Sequence, residues 1–195
     1  MKTLLTSAAV AVAAAFVASP ASAQNVPAAT IALVDLDRVT GECNACKTAA
    51  AALKSQVQGL QNREKALTGP LQTEGQSIQK AVEALNGKEP DAALQARAKA
   101  WETKRQQAAQ ELAGQQQQIQ RNQQYVQKQI QDKLGPIFSQ VMQRRGANVM
   151  VEIGATLAAD RGLDVTSDVL TALNAALPTL STTAPAQTQA KPQGR

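Results

Sequence analysis

The strongest constraint on this chain is a pair of long helical repeats separated by one turn signal. Apolar or small residues recur at steps of three and four over residues 53–85, with Glu64 and Glu74 in two of the positions. The same steps recur over residues 94–126 and continue, after a repeated step of four, to residue 141. This spacing is typical of coiled-coil seams. The segment 86–91, with Asn-Gly and Pro, predicts the turn between them.

The two repeats therefore predict a helical hairpin arm over residues 42–145, with its turn near 86–91. Two Gly-Pro pairs, Gly69-Pro70 and Gly135-Pro136, lie inside the predicted helices. Proline removes a helical hydrogen bond, so each pair predicts a kink or a brief interruption. Whether these positions are moving hinges or static kinks stays open at this point.

Short β-type segments flank the arm on both sides. Residues 31–36 and 147–153 are rich in β-branched residues and predict strands, and 155–158 predicts a further short strand. A short capped helix is predicted over 169–174, and the Pro-, Thr- and Gln-rich residues 178–195 predict a disordered tail. The fold class is α+β, with a coiled-coil-like α-helical hairpin projecting from a small β body formed by two segments, 24–41 and 146–177.

So small a body is expected to need partners. A few short strands leave unpaired edges and bury little apolar surface, and association with further copies corrects both. We therefore expect an oligomer whose shared core draws on six apolar residues of the strands. These are Ile31, Leu33, Val34, Val149, Val151 and Ile153.

The first 23 residues predict a secretory signal peptide. A basic start, an apolar run over 4–17 and Ala21-Ser22-Ala23 fit cleavage after Ala23. The alternative is a membrane anchor, but the run is shorter than the roughly 20 residues that span a bilayer. We expect an exported protein, located in the periplasm if the source is a Gram-negative bacterium.

The positive charge is concentrated in the predicted arm. Residues 42–145 hold 15 basic and 9 acidic side chains, whereas the rest of the mature chain is net negative. A basic arm would attract acidic partners or an anionic membrane surface in a salt-dependent way. The alternative is a solvated helix surface that keeps the protein soluble.

Composition argues against several classes of function. The chain has no His, the usual general base and metal ligand, and only two Cys, too few for a closed zinc site. Aromatic residues make up 2%, which leaves little for stacking on nucleic-acid bases. We expect no enzymatic activity, no cofactor, no metal site and no nucleic-acid partner.

The two cysteines form a Cys-x-x-Cys motif, Cys43 and Cys46. This spacing on a helix permits a local disulfide, and the same spacing occurs in redox proteins. Two other possibilities remain. The cysteines could form an intersubunit disulfide or metal site, or they could be free thiols. Covalent haem attachment needs His at the position that Lys47 occupies.

The order of segments resembles the Skp/OmpH family of periplasmic chaperones. The resemblance spans roughly residues 31–175 and includes Leu163–Asn174. It is sharpest in the first strand, Ile31–Asp35, and in the Asp-Val-Thr-x-Asp-Val-Leu segment 164–170, while the arm matches only in length and character. It implies a jellyfish-shaped homotrimer with a β-barrel body and three arms around a cavity. It also implies an ATP-independent holdase that binds unfolded outer-membrane proteins in the periplasm. The cysteine motif is not explained by it.

Within that reading, basic residues of the distal arm are the candidates for client contact, and anionic membrane lipid or lipopolysaccharide is a further possible partner. The candidate residues are Lys80, Lys88, Arg97, Lys99, Lys104 and Arg105. The alternative function is a structural coiled-coil protein of the cell envelope without client binding. Such a protein would not need β segments at both ends of the hairpin, and its seams would be more strictly apolar.

Overall fold

A computed structural model describes residues 27–186, so the predicted signal peptide lies outside the described residues. Within that range the chain forms two strands and four α-helices, joined by two 3-10 turns at Ile153–Ala155 and Arg161–Leu163. The elements in chain order are β1 (Ile31–Val34), α1 (Leu36–Glu42), α2 (Asn44–Glu83), α3 (Ala92–Arg145), β2 (Val149–Glu152) and α4 (Thr166–Ala176).

The body is built on a parallel pair of strands. Ile31 lies opposite Val149 and Val34 lies opposite Glu152, and the whole hairpin forms the crossover between them. Parallel strands require such a long connection because a tight turn can only join antiparallel neighbours. The sheet thus brings both ends of the arm together in one body.

The first strand is two residues shorter than predicted. It ends at Val34, and Leu36, which we expected in the strand, begins α1. The reason is an N-cap: the Asp35 side chain accepts a hydrogen bond from the Arg38 amide at 2.8 Å. The Glu152 carboxylate accepts from the Leu36 amide at 3.2 Å, which ties the start of α1 to β2.

The region after β2 also differs from its prediction. Ile153 belongs to a 3-10 turn, and residues 155–158 do not form a strand. Both the amide and the hydroxyl of Thr156 donate to the Ile153 carbonyl, at 3.0 and 2.8 Å, and this closes the chain into a tight turn. The short helix is longer than predicted, because the Asp164 carboxylate accepts from the Thr166 amide at 2.8 Å and starts α4 at that residue.

The arm consists of α2, with 40 residues, and α3, with 54 residues. At 1.5 Å per residue they extend about 60 and 80 Å. Asn86 and Gly87 take positive φ angles of 50° and 87° in the turn, and the Asp91 side chain caps α3 by accepting from the Leu94 amide. The described helices include none that is both long and apolar enough to cross a membrane.

Both helices continue through their internal prolines, so the brief interruption that we allowed for at each Gly-Pro pair does not occur. Packing on either side holds the helix where one backbone hydrogen bond is lost. Around Pro136 the neighbours Leu134 and Ile137 are buried in the body, and around Pro70 the side chain of Leu71 is half-buried in the seam.

The core lies where α1, α4, the strands and the lower ends of the two arm helices meet. Several of its side chains are completely buried, among them Val39, Cys43, Val141, Val169 and Leu173. The Asn174 side chain accepts from the Asn44 amide at 2.9 Å, so α4 also caps the start of the arm. The body therefore fixes the root of the arm from several sides.

The chain after α4 departs from the prediction of a disordered tail. Residues 178–186 lie along the lower part of the arm, and Leu180 packs against the edge of the core. Side chains of both arm helices make hydrogen bonds to the main chain of this segment, which composition could not reveal. Residues 187–195 lie outside the described residues.

Candidate functional site

The seam between the arm helices is incompletely buried. After Ala49 every side chain of α2 is half-buried or exposed, including the predicted seam residues Leu60 and Leu67. Val82, also predicted in the seam, is 46% exposed, whereas Ala81, which was not predicted there, is half-buried and lies with Leu85 beside Leu94 of α3. The arm thus presents apolar surface along its length without a closed core.

One aromatic contact joins the helices in the distal half. The Trp101 indole N–H donates to the Leu71 carbonyl oxygen at 2.7 Å. Its ring covers Gly75 so closely that a Cβ atom there would lie 3.0 Å from the ring. Gly75 is therefore required by the approach of the indole rather than by a turn.

Toward the body, next to Pro70, the packing opens. A cavity of about 320 Å³ lies between the helices, bounded by Leu67, Pro70 and Leu71 on one side and by Lys104 and Ala108 on the other. This space is an open groove, so the apolar side chains of Leu67 and Leu71 border solvent between the helices.

Two ion pairs bridge the helices. Arg63 donates to the Glu111 carboxylate at 2.6 and 3.0 Å, and Arg97 donates to Glu74 at 2.6 Å. The hydrogen bond from each arginine lowers the pKa of its carboxyl partner and raises the pKa of the guanidinium. These pairs align the helices across a seam that apolar packing leaves loose.

The structure divides the six candidate client-binding residues into two groups. Arg97 is held by Glu74, and Arg105 pairs with Glu102 at 2.9 Å while lying 5.8 Å from the centre of the Trp101 ring. Within the described residues the remaining four are exposed and make no ion pair. They are Lys80, Lys88, Lys99 and Lys104. The spacing of Glu102 and Arg105 was visible in the sequence, whereas the pairing of Arg97 with Glu74 depends on how the helices align.

The structure joins Cys43 and Cys46 by a disulfide. Cys43 ends α1 and caps α2, and the two residues are 0% and 7% exposed within the body core. The bond therefore lies at the junction between body and arm, away from solvent. Within the described residues there is no group of three or more His, Cys, Asp or Glu that could hold a metal ion.

The six strand residues expected in an oligomer core are not equivalent. Leu33 and Val34 are already buried within one chain, at 2% and 3% exposure. Val151 and Ile153 are half-buried. The most accessible are Ile31 and Val149, which are paired across the sheet and are 42% and 39% exposed; exposed Leu157 and Leu163 belong to the same body.

Comparisons with known proteins agree with this architecture. A family model described as outer membrane protein (OmpH-like) matches residues 30–173. A comparison with curated proteins gives no match. Among solved structures, the chain is similar in fold to an OmpH-like protein from Caulobacter crescentus CB15, with 20% identity and a TM-score of 0.65 over 80% of this chain and 90% of that chain. Because the family model spans most of the sequence, the chain belongs to the OmpH-like outer membrane protein family, as the sequence resemblance indicated.

Proposed function

We propose that this protein is an ATP-independent periplasmic holdase, which binds unfolded outer-membrane proteins between basic helical arms and prevents their aggregation. One observation supports this most directly. The arm leaves its apolar seam half-buried and presents four lysines that lack an ion pair within the described residues. The family is described as outer membrane protein (OmpH-like), and the solved neighbour is named as an OmpH-like outer membrane chaperone.

The chemistry of the clients matches this surface. Unfolded outer-membrane barrels expose segments in which apolar and polar residues alternate. Half-buried aliphatic side chains such as Leu67 and Leu71 offer such segments weak, exchangeable contacts. The lysines add a longer-range attraction for acidic clients that salt weakens. The same lysines would also bind the anionic head groups of lipid or lipopolysaccharide.

A cavity between arms requires more than one chain, and we propose a homotrimer. The parallel pair β1 and β2 exposes Ile31 and Val149, an apolar surface that a second copy can cover. Sedimentation of the mature protein at micromolar concentration is expected to give the mass of a trimer. Val149→Asp should lower that mass, whereas a monomer in the unchanged protein would contradict the proposal.

Export completes the proposed function. We propose cleavage of the signal peptide after Ala23, which would deliver the mature chain to the periplasm. The N-terminus of the secreted protein, determined by mass spectrometry, should be Gln24. A mature protein that still carries residues 1–23 would contradict the proposed cleavage.

The holdase is tested by diluting a denatured outer-membrane β-barrel protein into buffer without nucleotide. One equivalent of trimer should strongly reduce light scattering by the aggregating client, and an unrelated basic protein of similar charge should not. Unchanged scattering would favour the alternative, a structural coiled-coil protein of the cell envelope. That alternative gains no support from the half-polar seam or from the strands at both ends of the arm.

A further inference from the structure

The segment 178–186 lies against the arm as an extended chain. Leu180, Thr182 and Ala184 are half-buried, whereas Ser181 and Thr183 between them are exposed. This alternation with a period of two is that of a strand lying on a surface. The partner surface is not a sheet but the groove between α2 and α3.

Three amide side chains bind the main chain of this segment. Gln129 binds both main-chain polar groups of Ser181. Its Nε2 donates to the Ser181 carbonyl at 2.9 Å, and its Oε1 accepts from the Ser181 amide at 3.1 Å. Gln56 Nε2 donates to the Thr182 carbonyl at 3.1 Å. The Ala184 amide donates to Asn122 Oδ1 at 2.8 Å.

The amides also order one another. Asn122 is 4% exposed, and its Nδ2 donates to Gln56 Oε1 at 2.8 Å while its Oδ1 accepts from Gln118. These bonds between side chains leave Gln56 Nε2 and Asn122 Oδ1 directed at the main chain of the segment. Gln56 and Asn122 are ordered by this network, and Gln129 is held separately because its Nε2 also donates to the Tyr125 carbonyl at 3.2 Å. We call Gln56, Asn122 and Gln129 together the amide groove.

The amide groove binds the main chain of the segment and not particular side chains. The four contacts to residues 181–184 end on backbone N–H or C=O groups, which every residue except proline carries. A carboxamide that both donates and accepts replaces the neighbouring strand of a β-ladder. Any extended segment without proline at the two donor positions can make the same four bonds.

Space remains beside the segment. A cavity of about 350 Å³ lies between it and α2, with Leu180 and Thr182 on one side and the small residues Ala45, Ala49 and Ala52 on the other. The residues of the segment do not fill it. A client segment with an aromatic side chain, of the kind that is common in outer-membrane barrels, would fill more of this space than Leu180 does.

We propose that the amide groove is a binding site for extended polypeptide at the root of the arm, and that residues 178–186 occupy it as an internal competitor. This inference rests on the proposed function and adds a site and a form of regulation to it. The tethered segment reduces the apparent affinity of the groove for client to the intrinsic affinity multiplied by the fraction of time that the site is free. Clients with weak affinity are excluded, and long unfolded chains displace the segment.

Ser181→Pro in the full chain separates the segment from the groove. It removes the amide that donates to Gln129 Oε1 and leaves the groove itself unchanged. The matched control is Thr183→Pro, because the Thr183 amide donates only to the Ser181 hydroxyl within the segment. The probe is a fluorescent peptide with the sequence of residues 178–186, titrated by anisotropy against each protein.

We expect Ser181→Pro to bind the probe on the order of tenfold more tightly than the unchanged protein, with Thr183→Pro unchanged. Adding Gln129→Leu to Ser181→Pro should abolish this gain, while the thermal unfolding midpoint stays within a few degrees. Equal binding by Ser181→Pro and Thr183→Pro, or a gain that survives Gln129→Leu, would overturn the inference. The same holds if none of the proteins binds the probe.

A second measurement connects the groove to clients. Amide hydrogen exchange in residues 178–186 should accelerate when a denatured outer-membrane barrel is bound, because the client replaces the segment. Bound client with unchanged exchange there would refute the displacement. The peptide titration needs no outer-membrane client, so failure of the holdase proposal and failure of this inference give different results.

Discussion

The body and the arm of this protein are built on opposite packing principles. In the body, Val39, Val141, Val169 and Leu173 are fully buried among strands and helices. In the arm, α2 after Ala49 has half-buried or exposed side chains throughout. A closed core gives a rigid platform, whereas two helices that touch along a narrow seam remain deformable. We therefore expect the body to keep a fixed geometry and the arm to adapt its surface to a partner.

The disulfide and the ion pairs follow the same division. Cys43 and Cys46 are covalently joined inside the body at the root of the arm. Farther out, exposed pairs such as Arg63–Glu111 take the place of buried contacts. Exposed pairs contribute little each and weaken with salt, so the outer arm is held more loosely than its root.

The largest effect is expected from truncating the same side chain in the two regions. Leu173→Ala removes a fully buried body residue and should lower the free energy of unfolding by about 2–5 kcal/mol. Leu60→Ala, in the half-buried seam, should cost about 1 kcal/mol because less area is lost from packing. Urea denaturation followed by circular dichroism measures both. Equal losses would show that the arm is packed as tightly as the body.

A smaller effect distinguishes two glycines of the arm. Gly75→Ala places a Cβ 3.0 Å from the Trp101 ring and should destabilise the protein by about 1–3 kcal/mol. Gly114→Ala is the control, since a Cβ there meets nothing within 4 Å, and it should stabilise the helix by about 0.5–1 kcal/mol. If both variants are stabilised, Trp101 does not hold the helices together.

Next comes the contribution of charge to client binding. Replacing the four exposed distal lysines by Gln should weaken binding of a denatured outer-membrane barrel on the order of tenfold at low salt, and less at high salt. The residues replaced are Lys80, Lys88, Lys99 and Lys104. The control carries the same charge change nearer the body, at Lys47, Lys54, Lys65 and Lys133. Similar losses in the two variants would mean that only net charge matters.

The smallest effect concerns pH. Hydrogen bonds from Arg97 and Arg63 lower the pKa of Glu74 and Glu111 in the folded arm. A carboxyl with a lowered folded pKa contributes stability above its unfolded pKa of about 4.3, and this contribution is lost as pH falls through the folded pKa. Thermal midpoints should therefore be flat above about pH 5 and decline below it. In the Glu74→Gln variant the decline of the thermal midpoint below pH 5 should be shallower. An identical decline would show that the Arg97–Glu74 pair does not contribute to the pH dependence.

Sequence periodicity predicted the arm well because its signal is local. The steps of three and four predicted both helices, Asn-Gly and Pro predicted the turn at residues 86–91, and the family resemblance was confirmed. The errors arose where a single hydrogen bond decides the structure, as at the Asp35 cap that ends the first strand. Composition also misjudged residues 178–186, because hydrogen bonds from distant amides such as Gln129 hold their main chain and one side chain, Leu180, packs against the core.

The candidate site was predictable only in part. The basic character of the distal arm is visible in the sequence, and so is each lysine in it. That Arg97 is bound by Glu74 depends on the register between two helices, 23 residues apart in the chain. The sequence thus identifies a charged region, and the structure shows that four of its lysines make no ion pair among the described residues.

Site-specific photo-crosslinking tests most directly the claim that the arm binds client while the body anchors it. A photoreactive amino acid is placed at Lys99 in the distal arm or at Asp37 in α1, both exposed positions, and a denatured outer-membrane barrel is added. We expect a strong crosslink from position 99 that excess unlabelled client removes, with little from position 37. A crosslink from position 37 alone, or equal crosslinks from both, would contradict it.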